Sequence, residues 1–564
     1  MSSESPYDAI VVGSGISGGW AAKELTERGL RVLMLERGRP LEHGSGYVGE
    51  HRAPWQFPFR GKGDRKLIDA HYGVSKSTAS VEEGNLQFWA RDEDIPYQSS
   101  SEQPFRWVRT DVFGGRSLVW GRQVYRWSDL DFEANAQDGH GVDWPIRYGD
   151  IAPWYDHVED FIGVSGRAEG LPQLPDGRFL PPMDFNCVEA AAKQRIEAAF
   201  PERRMTIGRV AVLTREHRGR APCHYCLLCQ RGCSTASYFS TQGSTLPAAQ
   251  QTGRLEVRTR AIVEKLAYDA KTRRVTGVHV IDADSNERHF FGAKLVFLCA
   301  STLGSTQILL NSRSEHAPNG LANSSGVLGH HLMDHTFGTG AVAVMPGFES
   351  TGYKGHRPNG TYIPRFRNVD EPHGEFTRGY GYQGMAIRFG WGAALSQPGF
   401  GAEWKQTLTS PGPWLMLLAG FGECLPNPVN RARLSETHRD RWGIPQLDIH
   451  MQWSDNERAM CKDMQAEAIA MLKAAGGVNI IPLGGTPGPG GDAIHEMGTA
   501  RMGRNPRTSV LNGFNQAHDV ANLFVTDGSA MTSSACQNPS ITYMALTARA
   551  CEYAVKELES GALA

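Results

Sequence analysis

The chain has 564 residues, too many for one compact core, so two or more domains are expected. Hydrophobic residues at 40% and charged residues at 21% describe a soluble globular protein, and a net charge of −2 argues against nucleic acid or an anionic membrane as partner. The longest nearly unbroken apolar stretch, Trp414 to Phe421, is far too short to span a bilayer and reads as a core strand.

The first recognisable element is an apolar run, Ala9 to Val12, that leads into Gly13-x-Gly15-x-x-Gly18. A helix-like segment, Gly19 to Arg28, follows, then a second apolar run, Arg31 to Leu35, ending in Glu36. Strand, glycine turn, helix, strand and acid together make the dinucleotide-binding βαβ unit. Gly13 allows the tight turn, Gly15 lets backbone approach a pyrophosphate, and Gly18 lets helix and strand pack closely. Glu36 suits both hydroxyls of an unphosphorylated ribose. The unit alone does not say which dinucleotide is held. It begins at residue 7, leaving no room for a signal peptide in the chain as given. A cytoplasmic protein, one exported on a partner's signal (periplasmic by co-export), or one whose leader has been removed would all fit.

From Arg39 to about Gln103 the chain is rich in Gly, Pro, charge and aromatics, the character of binding loops or a lid. A second glycine turn, Gly114-Gly115-Arg116-Ser117 running on to Trp120, offers close backbone approach to a flat or phosphorylated ligand. Helices are expected over Ile151 to Val164 and Cys187 to Phe200. Leu255 to Thr259 and Val275 to Val280 alternate like paired strands, and Lys294 to Cys299 is a strand entering a helix through Leu310. Residues 340 to 480 turn to short β-like runs: Thr361 to Arg365, Tyr380 to Phe389, Trp414 to Glu423 and Gln446 to Trp453. With one helix, Asp455 to Ala475, they predict an antiparallel sheet carrying a substrate pocket. The last 75 residues return to the first style, with Leu523-Phe524-Val525-Thr526-Asp527-Gly528 and a helix from Ile541 to about Leu558.

Ten cysteines are present, and four fall within eleven residues: Cys223, Cys226, Cys229 and Cys233. Their spacing is of ferredoxin type, although Ser234 stands where a ferredoxin has proline. The alternative is disulfides or free thiols. The other six are scattered and read as small core residues.

These pieces resemble one family across nearly the whole chain, the glucose–methanol–choline flavin oxidoreductases. The resemblance rests on the N-terminal βαβ with Glu36, the 114–117 turn, the Ala300 to Gly304 crossover, His495-Glu496-Met497-Gly498-Thr499, Val525 to Ser529, and Asn538-Pro539-Ser540. The bacterial sugar-dehydrogenase branch (glucose, gluconate, fructose and glycoside 3-dehydrogenases) is most similar. The resemblance implies an α/β fold: a Rossmann-like FAD-binding domain (1–150, 234–335 and 490–564, with lid-like loops about 40–105). A discontinuous α+β substrate domain on an antiparallel sheet would take 151–233 and 336–489. It implies FAD as the dinucleotide, held by Gly13, Gly15, Gly18, Glu36, Gly114, Gly115, Ser117, Val263 and Asp527. The FAD is expected to be non-covalent, because Leu118-Val119-Trp120 lacks the histidine to which some relatives attach it.

By the same resemblance His495 is the catalytic base and Asn538 the amide that positions the substrate oxygen; the other histidines, including His330, His331 and His335, have weaker claims. Histidine suits the base because its ordinary pKa lies near neutrality. Tyr382 and Gln383, with Tyr380, are candidate sugar contacts, and a ring hydroxyl of a sugar or glycoside, with C3 favoured, is the expected substrate. The branch carries a three-iron cluster on C-x5-C-x3-C, which Cys223, Cys229 and Cys233 reproduce; Cys226 leaves a four-iron cluster open. A cluster would imply a small subunit and a cytochrome c-type acceptor. Without one, an oxygen-using pyranose or glycoside oxidase is the alternative, and a lyase that keeps FAD structurally is another.

Overall fold

The computed structural model describes residues 6–78, 80–352, 355–388 and 399–563. Strand β1 (Ala9–Val12) lies at the centre of a five-stranded, all-parallel sheet. It pairs with β2 (Val32–Leu35) on one side and Leu295–Leu298 on the other, with Ala9 opposite both Val32 and Leu295. Leu523–Val525 extends the sheet beyond 295–298, so the C-terminal segment lies two strands from the N-terminal one. Every residue of the three inner strands is buried, which requires helices on both faces. Helix α1 (Ile16–Glu27) supplies one, packed against helices Thr245–Gln251 and Ser540–Glu559.

The expected pairing of 255–259 with 275–280 is corrected. Leu255–Arg258 is the edge of the parallel sheet, beside β2, with Val32 opposite Leu255. An edge strand covered on one face alternates in burial just as a hairpin strand does, so periodicity cannot tell the two apart. Arg274–Asp282 pairs instead with Ala261–Asp269 and Arg288–Gly292, in a separate antiparallel sheet of three strands.

The second large sheet has six strands, all paired antiparallel, in the order 478–483, 336–345, 414–422, 380–387, 361–363, 206–207. Three of these, Thr206–Ile207, Thr336–Met345 and Val478–Leu483, were not anticipated from the sequence, and Phe389 of the expected run lies outside the described residues. The run expected over Gln446 to Trp453 forms Pro445–His450 but joins another sheet, with Arg431–Arg439 and Gln98–Ser99. Helix Asp455–Ala474 covers one face of the six-stranded sheet. Its start is set by a capping box, in which Ser454 caps the first turn and Glu457 accepts from the Ser454 N–H at 2.7 Å. Met460, Met464 and Met471 then meet Tyr380, Tyr382 and Trp414 in a shared core.

Gly18 is where α1 rests on the turn that precedes it. A Cβ there would stand 1.9 Å from the Gly13 carbonyl oxygen, a backbone-to-backbone clash that no rotamer change relieves. Gly18→Ala is therefore expected to cost about 1–3 kcal/mol as an overpacked contact. Chemical denaturation of the cofactor-free protein checks this, and an unchanged midpoint would contradict it.

Candidate active site

A cavity of about 740 Å³ opens along the carboxyl ends of the parallel strands. That edge is where ligands sit in open parallel sheets. It is lined by the first glycine turn (Gly13, Ser14, Gly15), Glu36, Gly115 and Ser117, Val263, the 300–304 crossover, Asp527, and finally His495 and Asn538. Gly18 and Gly114 do not line it. Gly18 packs α1 against the turn, and Gly114, at φ +97°, ties the two glycine turns together by donating its N–H to Ser14 Oγ at 2.8 Å.

Three helices begin at this cavity without a side-chain cap and without an acid in the first turn: α1 from Gly15, Thr302–Asn311 from Ser301, and Ser540–Glu559 from Pro539. Their free N–H groups and positive dipole ends converge on one space, an arrangement suited to a phosphate or an electron-rich ring. Gly15 has no atom within 4 Å of where a Cβ would stand, so the space above it is open for a ligand. Glu36 Oε2 accepts from the Ser14 N–H at 2.9 Å and Oε1 from the Gly38 N–H at 2.7 Å, which aims the carboxylate along the cavity wall. Burial pushes the pKa of Glu36 up. Asp527, also raised by burial, is fixed by Ser529 Oγ at 2.6 Å and Ser305 Oγ at 2.5 Å. These features fit a dinucleotide with an uncharged ribose edge.

At the far end of the cavity stand His495 and Asn538. Ile494 and Thr499, at φ +60° and +78°, bracket His495 in a conformation that β-branched residues rarely adopt, the kind of strain that concentrates at functional positions. The Asp334 carboxylate holds the segment, accepting from the His495 N–H at 3.0 Å and the Ala493 N–H at 3.2 Å. Burial, helped by Glu496, raises Asp334 to about 7. Arg116 pairs with Glu496 at 2.8 Å beside it. Asn538 Nδ2 lies 3.3 Å from His495 Nε2, so the two expected partners do meet. Burial, reinforced by His335 and Arg116, holds the His495 imidazolium pKa well below its ordinary value.

His335 is the residue the sequence reading undervalued. Its Nδ1 is 2.9 Å from His495 Nδ1, and the two segments are 160 positions apart, so no local spacing signals the pair. Gln383 lines the cavity and donates to Asn538 Oδ1 at 2.6 Å. Tyr382 does not face the cavity: it is fully buried on the opposite face of its strand, its hydroxyl donating to the Met464 carbonyl at 2.5 Å. Its expected substrate contact is corrected on that ground, since neighbours on a strand point to opposite faces. Arg122 was also missed; it borders the cavity at φ +60°, buried, with Nε and Nη1 unpartnered and its guanidinium over the Tyr238 ring.

Cys223, Cys229 and Cys233 are half-buried against one apolar cluster with Val210, Val212 and Tyr238, whereas Cys226 is exposed. Burial raises Cys223 to about 11 and raises Cys229 as well, as expected of thiols. Among the described residues no three or more His, Cys, Asp or Glu side chains stand in an arrangement that holds a metal ion.

Filling the open space above Gly15 separates ligand binding from folding. Gly15→Val is expected to leave the unfolding midpoint of the cofactor-free protein unchanged and to lower retained FAD at least tenfold, read from the flavin absorbance of purified protein. Full flavin content would refute the placement of the cradle.

The chain matches the GMC oxidoreductase family over residues 7–337 and 426–547. It is 29% identical to 2-methyl-1,2-propanediol dehydrogenase of Mycolicibacterium austroafricanum, over 97% of this chain and 94% of the relative. It is 24% identical to the fructose dehydrogenase large subunit of Gluconobacter japonicus, covering 98% of each. It is 25% identical to the gluconate 2-dehydrogenase flavoprotein of Pantoea cypripedii, over 96% and 92%. Among solved structures, pyridoxine 4-oxidase from Mesorbium loti superposes with a TM-score of 0.60 at 15% identity, over 98% and 99% of the two chains, and shows the same fold. Formate oxidase from Aspergillus oryzae superposes at 0.61 with 13% identity, over the whole of both chains. With the cradle, the His–Asn pair and these matches together, the chain belongs to the GMC oxidoreductase family and is an FAD-dependent oxidoreductase acting on CH–OH groups.

Proposed function

We propose that the protein is a dehydrogenase that oxidises a ring hydroxyl of a sugar or glycoside, at C3, to a keto sugar. The observation that carries the reading is the position of His495 Nε2 and the Asn538 amide at one end of the cavity whose other end is the dinucleotide cradle. The wall around the pair supports a sugar: Trp120, Phe337 and Phe421 give apolar faces, and Gln123 and Gln383 give amides. Relatives named for fructose and gluconate point the same way. FAD, when bound, supplies the acceptor for the hydride that leaves carbon. The chain's own residues do the rest. Asn538 orients the hydroxyl oxygen through Nδ2, His495 takes the hydroxyl proton at Nε2, and the low-dielectric walls keep His495 unprotonated before that step and both groups shielded from water.

The cysteine spacing alone supports the remainder of the proposal, electron export through an iron–sulfur cluster to a cytochrome c-type acceptor carried with a small subunit. Iron and acid-labile sulfide bound to the purified chain would support that exit. Iron-free protein that turns over sugar and releases hydrogen peroxide would replace it with an oxidase.

The lowered pKa of His495 sets the pH dependence. A base must be neutral to act, and a depressed pKa keeps it neutral at lower pH, so activity is present above the folded pKa and lost below it. Anaerobic flavin reduction is expected to stay level from about pH 8 down through 6.5 and to fall only below that; a decline centred at or above 6.5 would contradict the site. Deuterium at C3 of the substrate should slow flavin reduction about threefold or more, and slowing only by deuterium at another carbon would move the site of oxidation.

A further inference from the structure

We propose that the reactive nitrogen of His495 is selected by a one-directional hydrogen-bond chain, with His335, Gln383, Gln123 and Tyr125 as its positioning residues. The proposal rests on His495 being the base and goes on to say what makes it one.

The chain is anchored at a pair of backbone carbonyls. His335 Nε2 lies 3.0 Å from the Ala535 oxygen and 3.3 Å from the Ser534 oxygen. Carbonyls only accept, so this nitrogen carries a hydrogen. His335 is fully buried, and burial, opposed by those two carbonyls, lowers its pKa to about 4, so the ring is neutral and Nδ1 has a bare lone pair. The group facing that lone pair at 2.9 Å is His495 Nδ1, which must therefore donate. A neutral His495 with hydrogen on Nδ1 has its lone pair on Nε2, turned to Asn538.

The same logic fixes every amide beyond. Only an N–H can face His495 Nε2, so Asn538 presents Nδ2 there and Oδ1 away. Oδ1 accepts from Gln383 Nε2 at 2.6 Å, and Gln383 Oε1 accepts from Gln123 Nε2 at 2.9 Å. Gln123 Oε1 accepts from the Tyr125 hydroxyl, which is fully buried and kept protonated by that burial. Turning Asn538 or Gln383 over would set donor against donor and acceptor against acceptor on both its sides, and turning Gln123 over would set its Oε1 against the Gln383 Oε1. Six side chains drawn from distant segments thus point one way, from the Tyr125 hydroxyl to the Ala535 carbonyl. Chains of this kind polarise one another cooperatively.

The longest link that the chemistry must break is the one between Asn538 and His495, at 3.3 Å. A substrate hydroxyl inserted there keeps the polarity of the whole chain: its oxygen accepts from Asn538 Nδ2 and its hydrogen points at His495 Nε2. When the O–H bond breaks, the proton goes to Nε2 and the carbon's hydride to the flavin, so a carbonyl forms and two electrons leave the alcohol. The resulting imidazolium still donates from Nδ1 to His335, a neutral acceptor where a serine-protease triad has a carboxylate.

The test reads the tautomers of the FAD-loaded enzyme without substrate, by long-range proton–nitrogen correlation on ¹⁵N-histidine-labelled protein. His495 should show a hydrogen on Nδ1 and a bare Nε2, and His335 the reverse; the opposite pattern at either ring overturns the proposal. Gln383→Leu and His335→Leu should each slow anaerobic flavin reduction about tenfold to a hundredfold, the scale of a misaligned reacting group, and in His335→Leu, which lies outside the cavity wall, the substrate Kd should change less than about threefold. His335→Asn, whose Oδ1 can take the Nδ1 lone pair's place, should recover much of the rate lost in His335→Leu. Equal rates in Gln383→Leu and wild type would also overturn it. If no alcohol reduces the flavin, the functional reading fails while the tautomer pattern still decides the chain.

Discussion

The molecule depends on the convergence of three unsatisfied helix starts on one edge of a parallel sheet. α1, Thr302–Asn311 and Ser540–Glu559 all leave their first N–H groups without side-chain caps. In a protein core such groups are costly unless a partner satisfies them. A dinucleotide with its phosphates and an electron-accepting ring meets that need, and the inner strands, buried on both faces, hold the three helices to it. The C-terminal helix is as much a part of this cradle as the N-terminal glycine turn. Strand 523–525, next to 295–298, brings it there.

On the proposed reading, the chemistry is a matter of placing two neutral groups, His495 and Asn538, where charge will develop. The surroundings of His495 keep it unprotonated by burial and by the nearby Arg116 and His335, while Glu496 balances Arg116 at 2.8 Å. The segment carrying His495 is held in strained backbone at Ile494 and Thr499, and its amides are fastened to Asp334. Strain of this sort persists only where the surroundings over-determine it. Here two sheets and the 534–538 loop close around the histidine, and the six-stranded sheet contributes through Gln383.

Much of this was legible in the sequence where the signal was local. The βαβ unit, the 294–310 crossover and the helix expected over Asp455 to Ala475 each depend on residues a few positions apart, and each formed with bounds within a few residues of those expected. His495 and Asn538 were legible through their family context. The errors came where neighbours in space are distant in sequence. Leu255–Arg258 alternates like a hairpin strand but is a sheet edge. Tyr382 shares a strand with Gln383, and only the covering helix decides which of them faces the cavity. His335 meets His495 across 160 positions, and Gln123 meets Gln383 across 260. No periodicity reports such contacts. What could have flagged His335 is its place directly before Thr336, the first residue of a long strand, in a stretch that also carries His330 and His331.

The central claim is that this cavity oxidises a sugar hydroxyl with His495 as base. Anaerobic titration of the FAD-loaded protein with a panel of sugars and glycosides, followed by flavin absorbance, tests it most directly. The account predicts that at least one sugar bleaches the flavin, and that His495→Ala retains FAD but is not bleached by it. Flavin that stays oxidised with every sugar, or that bleaches at the wild-type rate in His495→Ala, would contradict the account.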